Sequence, residues 1–388
     1  MIKLYLYLAL SLFLALIAGK IVKQVKLPNV TGYLIMGLIA GPYCLKLIPA
    51  EIVSELSIIP EIALGFIAFS IGSEFKLSYL KKVGKAPIII AILESVGAVV
   101  FVDLALILTG NNIPFSLVLG AIAAATAPAA TLMVVKQYKA KGPVTETLLP
   151  VVALDDAAAL ICFGLSVAVA KAINSNGNVS VVSTVLNPVI EIVGALLLGA
   201  VLGVIFRFLV KFYTGRGNRL AITYAMIFLC IGLCDFIGWS ALLACMAMSA
   251  VLVNTSNASD VVFEQVDRMT PPIFMLFFFL SGADLNIALL SEVGFIGIIY
   301  IVFRVLGKVA GAALGGKLSN AKPIVQKYLG FTLIPQAGVA IGLAATSMSV
   351  VPEYGERIRT IILCGTVIYE LIGPVTTKIA LKKAGEIE

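Results

Sequence analysis

Residues 149–164, LPVVALDDAAALICFG, decide how this chain is read. Asp155 and Asp156 stand side by side in the middle of an otherwise apolar run. A charge at the centre of a membrane helix costs at least ~2.5–3.5 kcal/mol on insertion scales, so such residues line an ion path or pair inside a helical bundle. Two in succession point to an ion-handling site, provided the rest of the chain is membrane protein.

The composition meets that condition. Of 388 residues, 60% are hydrophobic and 13% charged, with a mean hydropathy of +1.08. Soluble domains carry roughly 25% charged residues, so a soluble fold of this size is excluded. The net charge of +7 does not point to nucleic acid, because the basic residues fall in short connectors between apolar runs. The six cysteines have no histidine partners and are read as buried thiols. With no histidine in the chain, proton chemistry falls to carboxylates and lysine.

Spanning a hydrocarbon core of ~30 Å takes about 20 apolar residues. The spacing predicts an all-α polytopic membrane protein of about thirteen spanning segments: 4–19, 30–48, 56–74, 87–109, 114–135, 148–170, 185–210, 219–235, 237–254, 270–284, 293–316, 323–349 and 358–380. The first is read as an uncleaved helix, and residues 1–388 as a single transmembrane unit without a soluble regulatory domain. Of the 28 Lys and Arg, 21 fall on one side of this map and five on the other, with Arg304 and Lys308 inside a segment. That alternation puts the N-terminus outside and the C-terminus in the cytoplasm, and the expected location is the cell (inner) membrane.

Two segments are interrupted at mid-depth, one at Pro128 in ATAPAAT and one at Pro335-Gln336 in LIPQAG. Proline removes a backbone donor and leaves carbonyls without partners where there is no water. A single such site reads as a kink. A pair on helices running in opposite directions is the sequence sign of inverted repeats with two broken, crossing helices and a midplane site. At ~1.5 Å per residue, Asp155 and Asp156, Lys308, Pro128 and Glu94 all lie about 10–12 Å from the cytoplasmic ends of their segments. Arg304 lies one turn further out on the face of Lys308.

Hard cations take oxygen ligands, so Asp155, Asp156, the Thr126 and Thr131 hydroxyls and the carbonyls freed near Pro128 are candidate ligands. Adjacent helical residues point about 100° apart, so one aspartate can face a cavity while the other faces a neighbouring helix and a counter-charge. A cation and protons competing for one carboxylate is the minimal form of exchange. Asp155 with Lys308 also fits a purely structural ion pair, and Arg304 a structural role with Glu94 or Glu370 as partner. Asp103, Glu191, Asp235 and Glu61, near the outer ends, read as solvated. The Phe274–Phe279 run reads as lipid-facing or packing surface.

The Asp155-Asp156 pair, FRVLGKVAGAALGGKL around Lys308, GWSALLACMAMSAVLVN and TAPAAT together resemble the cation:proton antiporter superfamily, in its bacterial and archaeal Kef- and Nap-type branch. The resemblance covers essentially the whole chain. It implies a homodimer of Na+/H+ antiporter fold, with a core of about 87–170 and 293–382 moving in an elevator-like step against a dimerisation subdomain of about 1–55 and 185–284. It also implies Asp156 as carrier of the cation and proton, and Asp155 paired with Lys308 until sodium binds. The two-aspartate pattern implies electrogenic exchange. Ala127 stands where electroneutral relatives have aspartate, which argues against that branch.

These readings converge on exchange of Na+ or Li+ for H+, with monovalent cations and protons as substrates, the lipid bilayer as surroundings and no cofactor. K+/H+ exchange remains open, as does a sodium-coupled organic-anion symporter, for which Gln336 and Thr332 are the only hints. An intramembrane enzyme is disfavoured, since no nucleophile stands with a base.

Overall fold

The structure is a computed structural model describing residues 2–24, 27–78, 84–174, 181–285 and 294–387. Lys26, Lys81 and Lys82, counted above in the basic connectors, and residue 293, where the eleventh segment begins, lie outside the described residues.

Among the described residues the fold is all-α, in the order α1 (Ile2–Gln24), α2 (Asn29–Ala40), α3 (Ala50–Glu55), α4 (Ile58–Gly72), α5 (Ala86–Leu108), α6 (Ile113–Ile122), α7 (Pro128–Tyr138), α8 (Pro143–Asn174), α9 (Val181–Phe212), α10 (Arg216–Ile237), α11 (Ala241–Thr255), α12 (Ser259–Met269), α13 (Pro271–Asp284), α14 (Gly294–Leu318), α15 (Pro323–Tyr328), α16 (Gly338–Val350) and α17 (Pro352–Lys383). Seven of these are long and apolar enough to cross a membrane, and six shorter apolar helices occupy the other expected segments. The spans form because, without water, the i→i−4 ladder is the only partner the backbone has.

Both predicted interruptions are real. The fifth segment is two half-helices, α6 and α7, separated by residues 123–127. Pro128 opens α7 at its first position, where a missing N–H costs nothing. In the twelfth segment α15 and a 3-10 turn (Leu329–Thr332) lead into a non-helical stretch before α16 begins at Gly338. A third proline, Pro150, is accommodated inside α8 a little over one turn before Asp155.

Four readings need correction. The second helix stops at Ala40, not at 48, so Cys44 lies in the turn that follows and is exposed rather than buried; Cys162 is half-buried, and the other four cysteines are buried. α12 was not foreseen, since its sequence is too polar to span; it buries Val262 and Val266 one turn apart and exposes the Glu264–Arg268 ion pair. Phe274, Phe277, Phe278 and Phe279 are all buried, so of the two readings of that run the lipid-facing one falls and packing stands. Asp103 is only partly solvated: the residue is half-buried, and its Oδ1 is buried in the space that a side chain at Gly120 would take.

The chain divides into two compact units. The first (Met1–Ile21, Gly32–Gly84 and Val189–Asp284) holds an aromatic cluster in which Phe66 meets Tyr224 and Phe228, and Phe69 meets Phe206 and Phe263. The second (Val22–Thr31, Lys85–Pro188 and Leu285–Glu388) holds both broken helices and every candidate site residue. Its core is built from small, branched and aromatic residues of α5, α6, α8, α14, α16 and α17, among them Ala98, Val102, Ile122, Ala159, Tyr300 and Tyr369.

Candidate functional site

Glycine sets the distance between the two helices that carry the counter-charges. On α14, Gly307 and Gly311 lie against α5, where a Cβ on Gly307 would come within 2.5 Å of Gly97 O and one on Gly311 within 2.3 Å of Leu93 O. Small residues one turn apart let membrane helices approach backbone to backbone. Lys308, next to Gly307, is thereby brought onto Glu94.

The Lys308 ammonium is fully buried and reaches four acceptors with its three N–H donors. They are Glu94 Oε2 at 2.7 Å, Asp155 Oδ2 at 2.9 Å, Thr126 Oγ1 at 2.6 Å and the Ala124 carbonyl. The Ser95 hydroxyl donates to Asp155 Oδ1 at 2.8 Å and lies 3.2 Å from Glu94 Oε1. The sequence-level pair Asp155–Lys308 is therefore a triad with Glu94, joined by Ser95. A buried pair that loses one partner is destabilised by about 3–5 kcal/mol, because the survivor stays charged in a dry place; here Lys308 has a second carboxylate in reserve.

Arg304, one turn away, is equally buried, but its expected partner was wrong. Neither Glu94 nor Glu370 meets it. Its Nε donates to Ala123 O at 3.0 Å, Nη2 to Ala125 O at 2.7 Å and Nη1 to Ile334 O at 2.7 Å, while Tyr369 lies 4.4 Å beneath its guanidinium carbon. The first two carbonyls belong to the first break and the third to the second. A planar fork with five donors suits three fixed carbonyls and an aromatic face. The C-terminal end of α6 carries the partial negative charge of its unpaired carbonyls, and two cations neutralise it.

The breaks also hold each other. Ala127 N–H donates to Pro335 O at 2.8 Å, so the two interrupted chains meet backbone to backbone. Gln336 Nε2 donates to Ile122 O at 2.9 Å, and Tyr300 O–H fixes Gln336 by donating to its Oε1 at 3.0 Å. Thr131 Oγ1 donates to Thr332 O at 3.1 Å, and Thr126 Oγ1 lies 3.5 Å from Leu333 O. The carbonyls expected to be free near Pro128 are thus occupied by protein donors, which corrects their reading as bare cation ligands.

Asp156 is the exception to this accounting. It is buried beside the triad, and its Oδ1 has no hydrogen-bond donor among the described residues. A buried carboxylate oxygen without a donor costs several kcal/mol unless a cation or a proton meets it. The structure therefore brings together Asp155, Asp156, Thr126, Lys308, Glu94, Arg304, Gln336 and both breaks. It places Thr131 on the second break, through Thr332, and leaves Glu370 out. Sequence reasoning missed Ser95, Tyr300 and Tyr369, whose hydroxyls and rings fix the others; the adjacency of Ser95 to Glu94 was the one signal that could have found the first.

A family model described as "Sodium/hydrogen exchanger, transmembrane" matches residues 9–383. Over 333 residues the chain is 25% identical to the Na+/H+ antiporter NhaS4 of Synechocystis sp., covering 78% of this chain and 77% of that protein. It is 22% identical over 406 residues to the high-affinity Na+/H+ antiporter NhaS3 of the same organism, covering 93% and 87%. Two structures of the sodium proton antiporter MjNhaP1 from Methanocaldococcus jannaschii share the fold at 20% identity. One, at pH 8, gives a TM-score of 0.70 over 99% of this chain and 96% of that one; the other gives 0.77 over 100% and 99%.

Proposed function

The chain belongs to the transmembrane sodium/hydrogen exchanger family, and on that premise we propose that it exchanges Na+ or Li+ for H+ across the cell membrane, with Asp156 as the carboxylate for which cation and proton compete. The single observation that carries this assignment is the unpartnered Oδ1 of Asp156 beside a cluster in which every other carboxylate and cation is held. Charge counting supports it. Glu94, Asp155 and Asp156 against Lys308 and Arg304 leave one negative charge in excess when all are ionised, which one cation cancels; electrogenic exchange then requires two protons to bind when the cation leaves, one on Asp156 and a second within the triad.

Thr126 and Asp155 are the neighbours from which further oxygens for a cation would come. Thr126 accepts from Lys308 but keeps a lone pair. When a cation draws on Asp155, Lys308 retains Glu94, so the pair opens without stranding a buried ammonium. Thr131 would act indirectly, by fixing the second break.

The same reading assigns a carrier role to residues of about 87–170 and 293–382, and a homodimerising scaffold role to about 1–55 and 185–284, with elevator-like, electrogenic exchange. The partition of the chain into two compact units and the concentration of the charge cluster in one of them support that assignment. The basic connectors support an outside N-terminus and a cytoplasmic C-terminus.

The test is proton flux in proteoliposomes on addition of Na+, Li+ or K+. Proton release with Na+ and Li+, abolished by Asp156→Ala in a folded protein, is the expected result. Flux with K+ alone would reassign the ion, and wild-type flux in Asp156→Ala would end the assignment.

A further inference from the structure

Glu370 lies outside the charge cluster just described. α17 carries it into the interior of the second unit, buried, with Oε1 meeting no donor among the described residues. Thr366 Oγ1 and Thr377 Oγ1, on the same helix, are buried and unpartnered in the same way. At about 100° per residue, positions 366, 370 and 377 fall within roughly 40° of one another and form one stripe. Gly373 belongs to that stripe, and a Cβ there would lie 2.6 Å from Pro335 Cγ, so the stripe faces the second break. Thr366 and Thr377 lie on either side of that level, about 16 Å apart at ~1.5 Å per residue.

The elements packed against α17 supply Glu370 with no counter-charge. On α14, Arg304 and Lys308 are committed to the crossing, the Tyr300 hydroxyl donates to Gln336, and Lys317 is exposed in the last turn. On α7 the titratable groups are Lys136 and Tyr138, whose ring faces Lys378 of α17. On α15 they are Lys327, over its neighbouring ring, and Tyr328. α6, α16 and the 3-10 turn carry no charged residue. Three buried oxygens in line, each able to accept a proton or a water hydrogen, make a polar track through an apolar helix, and buried polar groups of this kind are met by ordered water.

We propose that Glu370, with Thr366 and Thr377, is a proton relay along α17 that carries protons to and from the level of the second break. Each hydroxyl takes a proton on a lone pair and gives up its own, the Glu370 carboxyl holds one between them, and ordered water carries the proton over the ~6 and ~10 Å of helix that separate the three groups; no bond other than O–H is made or broken. This inference rests on the antiporter reading. It adds a path for protons that the sodium ion does not share.

The experiment compares Na+/H+ exchange with Na+/Na+ self-exchange, which needs no proton, in proteoliposomes of full-length wild type, Glu370→Gln, Glu370→Asp and Thr366→Val/Thr377→Val. Glu370→Gln keeps the shape but cannot carry a proton. It is expected to retain ²²Na+ self-exchange while proton-coupled exchange falls by about a hundredfold, the lower end of the range for lost acid–base groups, with Glu370→Asp restoring part of it. The threonine pair is expected to fall in the same direction. Wild-type proton coupling and pH profile in Glu370→Gln would overturn the inference alone, as would an equal loss of both exchanges in all three variants. Absence of either exchange in the wild type would overturn the antiporter reading and this inference with it.

Discussion

Lys308 holds two carboxylates at once, Glu94 Oε2 at 2.7 Å and Asp155 Oδ2 at 2.9 Å, with all three side chains shut off from solvent. Sharing of this kind makes the two acidic partners unequal in consequence. Lys308→Ala leaves two buried carboxylates without a cation and is expected to destabilise the protein by about 3–5 kcal/mol. Asp155→Asn leaves Lys308 paired with Glu94 and is expected to cost less. Thermal unfolding of the two variants in detergent, with the Glu94→Gln variant completing the comparison, checks the order.

Asp156→Asn is expected to move stability the other way. It replaces a buried carboxylate whose Oδ1 lacks a donor with a neutral isostere. Removal of an uncompensated charge stabilises, so the variant melts at or above the wild-type temperature while losing exchange. A lower melting temperature would show that Asp156 is a structural anchor.

Arg304→Lys is the sharpest test of the crossing. A lysine keeps the charge but gives up the planar fork that meets Ala123, Ala125 and Ile334 together. Each buried carbonyl left unmet costs about 1–3 kcal/mol, so a loss of roughly 2–4 kcal/mol is expected despite the conserved charge. Melting curves for Arg304→Lys and Arg304→Gln read it directly; equal stability to the wild type would mean that charge alone suffices.

The start of α8 carries a further dependence. Glu386, beyond the end of α17, accepts from the backbone N–H groups of Val144 and Thr145 and from the Thr145 hydroxyl, the last two at 2.7 and 2.6 Å. It caps the helix that bears Asp155 and Asp156. Loss of a cap of this type costs about 0.5–2 kcal/mol, so Glu386→Ala is expected to raise hydrogen exchange at residues 144–147 without altering the interior of α8. Unchanged protection there would remove the cap from the account.

The features legible in the sequence were those that chain chemistry alone enforces. Apolar runs, prolines at mid-depth and a common depth for Asp155, Lys308 and Glu94 all follow from the absence of water in the bilayer, and each has its counterpart in the folded chain. The partner of Arg304 was not legible, because a search among charges overlooks main-chain carbonyls, and the sequence does not show which carbonyls a break exposes. Ser95 and Tyr300 looked like ordinary interior residues, since their importance comes from an oxygen on another helix. The short α12 escaped because its pattern is that of a surface helix in a chain read for spans.

At the crossing of the broken helices, what the buried cations touch is peptide, and this has a consequence for variation. Ala123, Ala124 and Ala125 contribute their carbonyls and are almost wholly enclosed. Chemistry at these three positions is supplied by the main chain, which any residue would provide; what the site demands of their side chains is smallness. Tolerance there should follow volume and ignore polarity, serine being accepted where valine or leucine is refused, so that the least eventful letters in the sequence are among the most constrained.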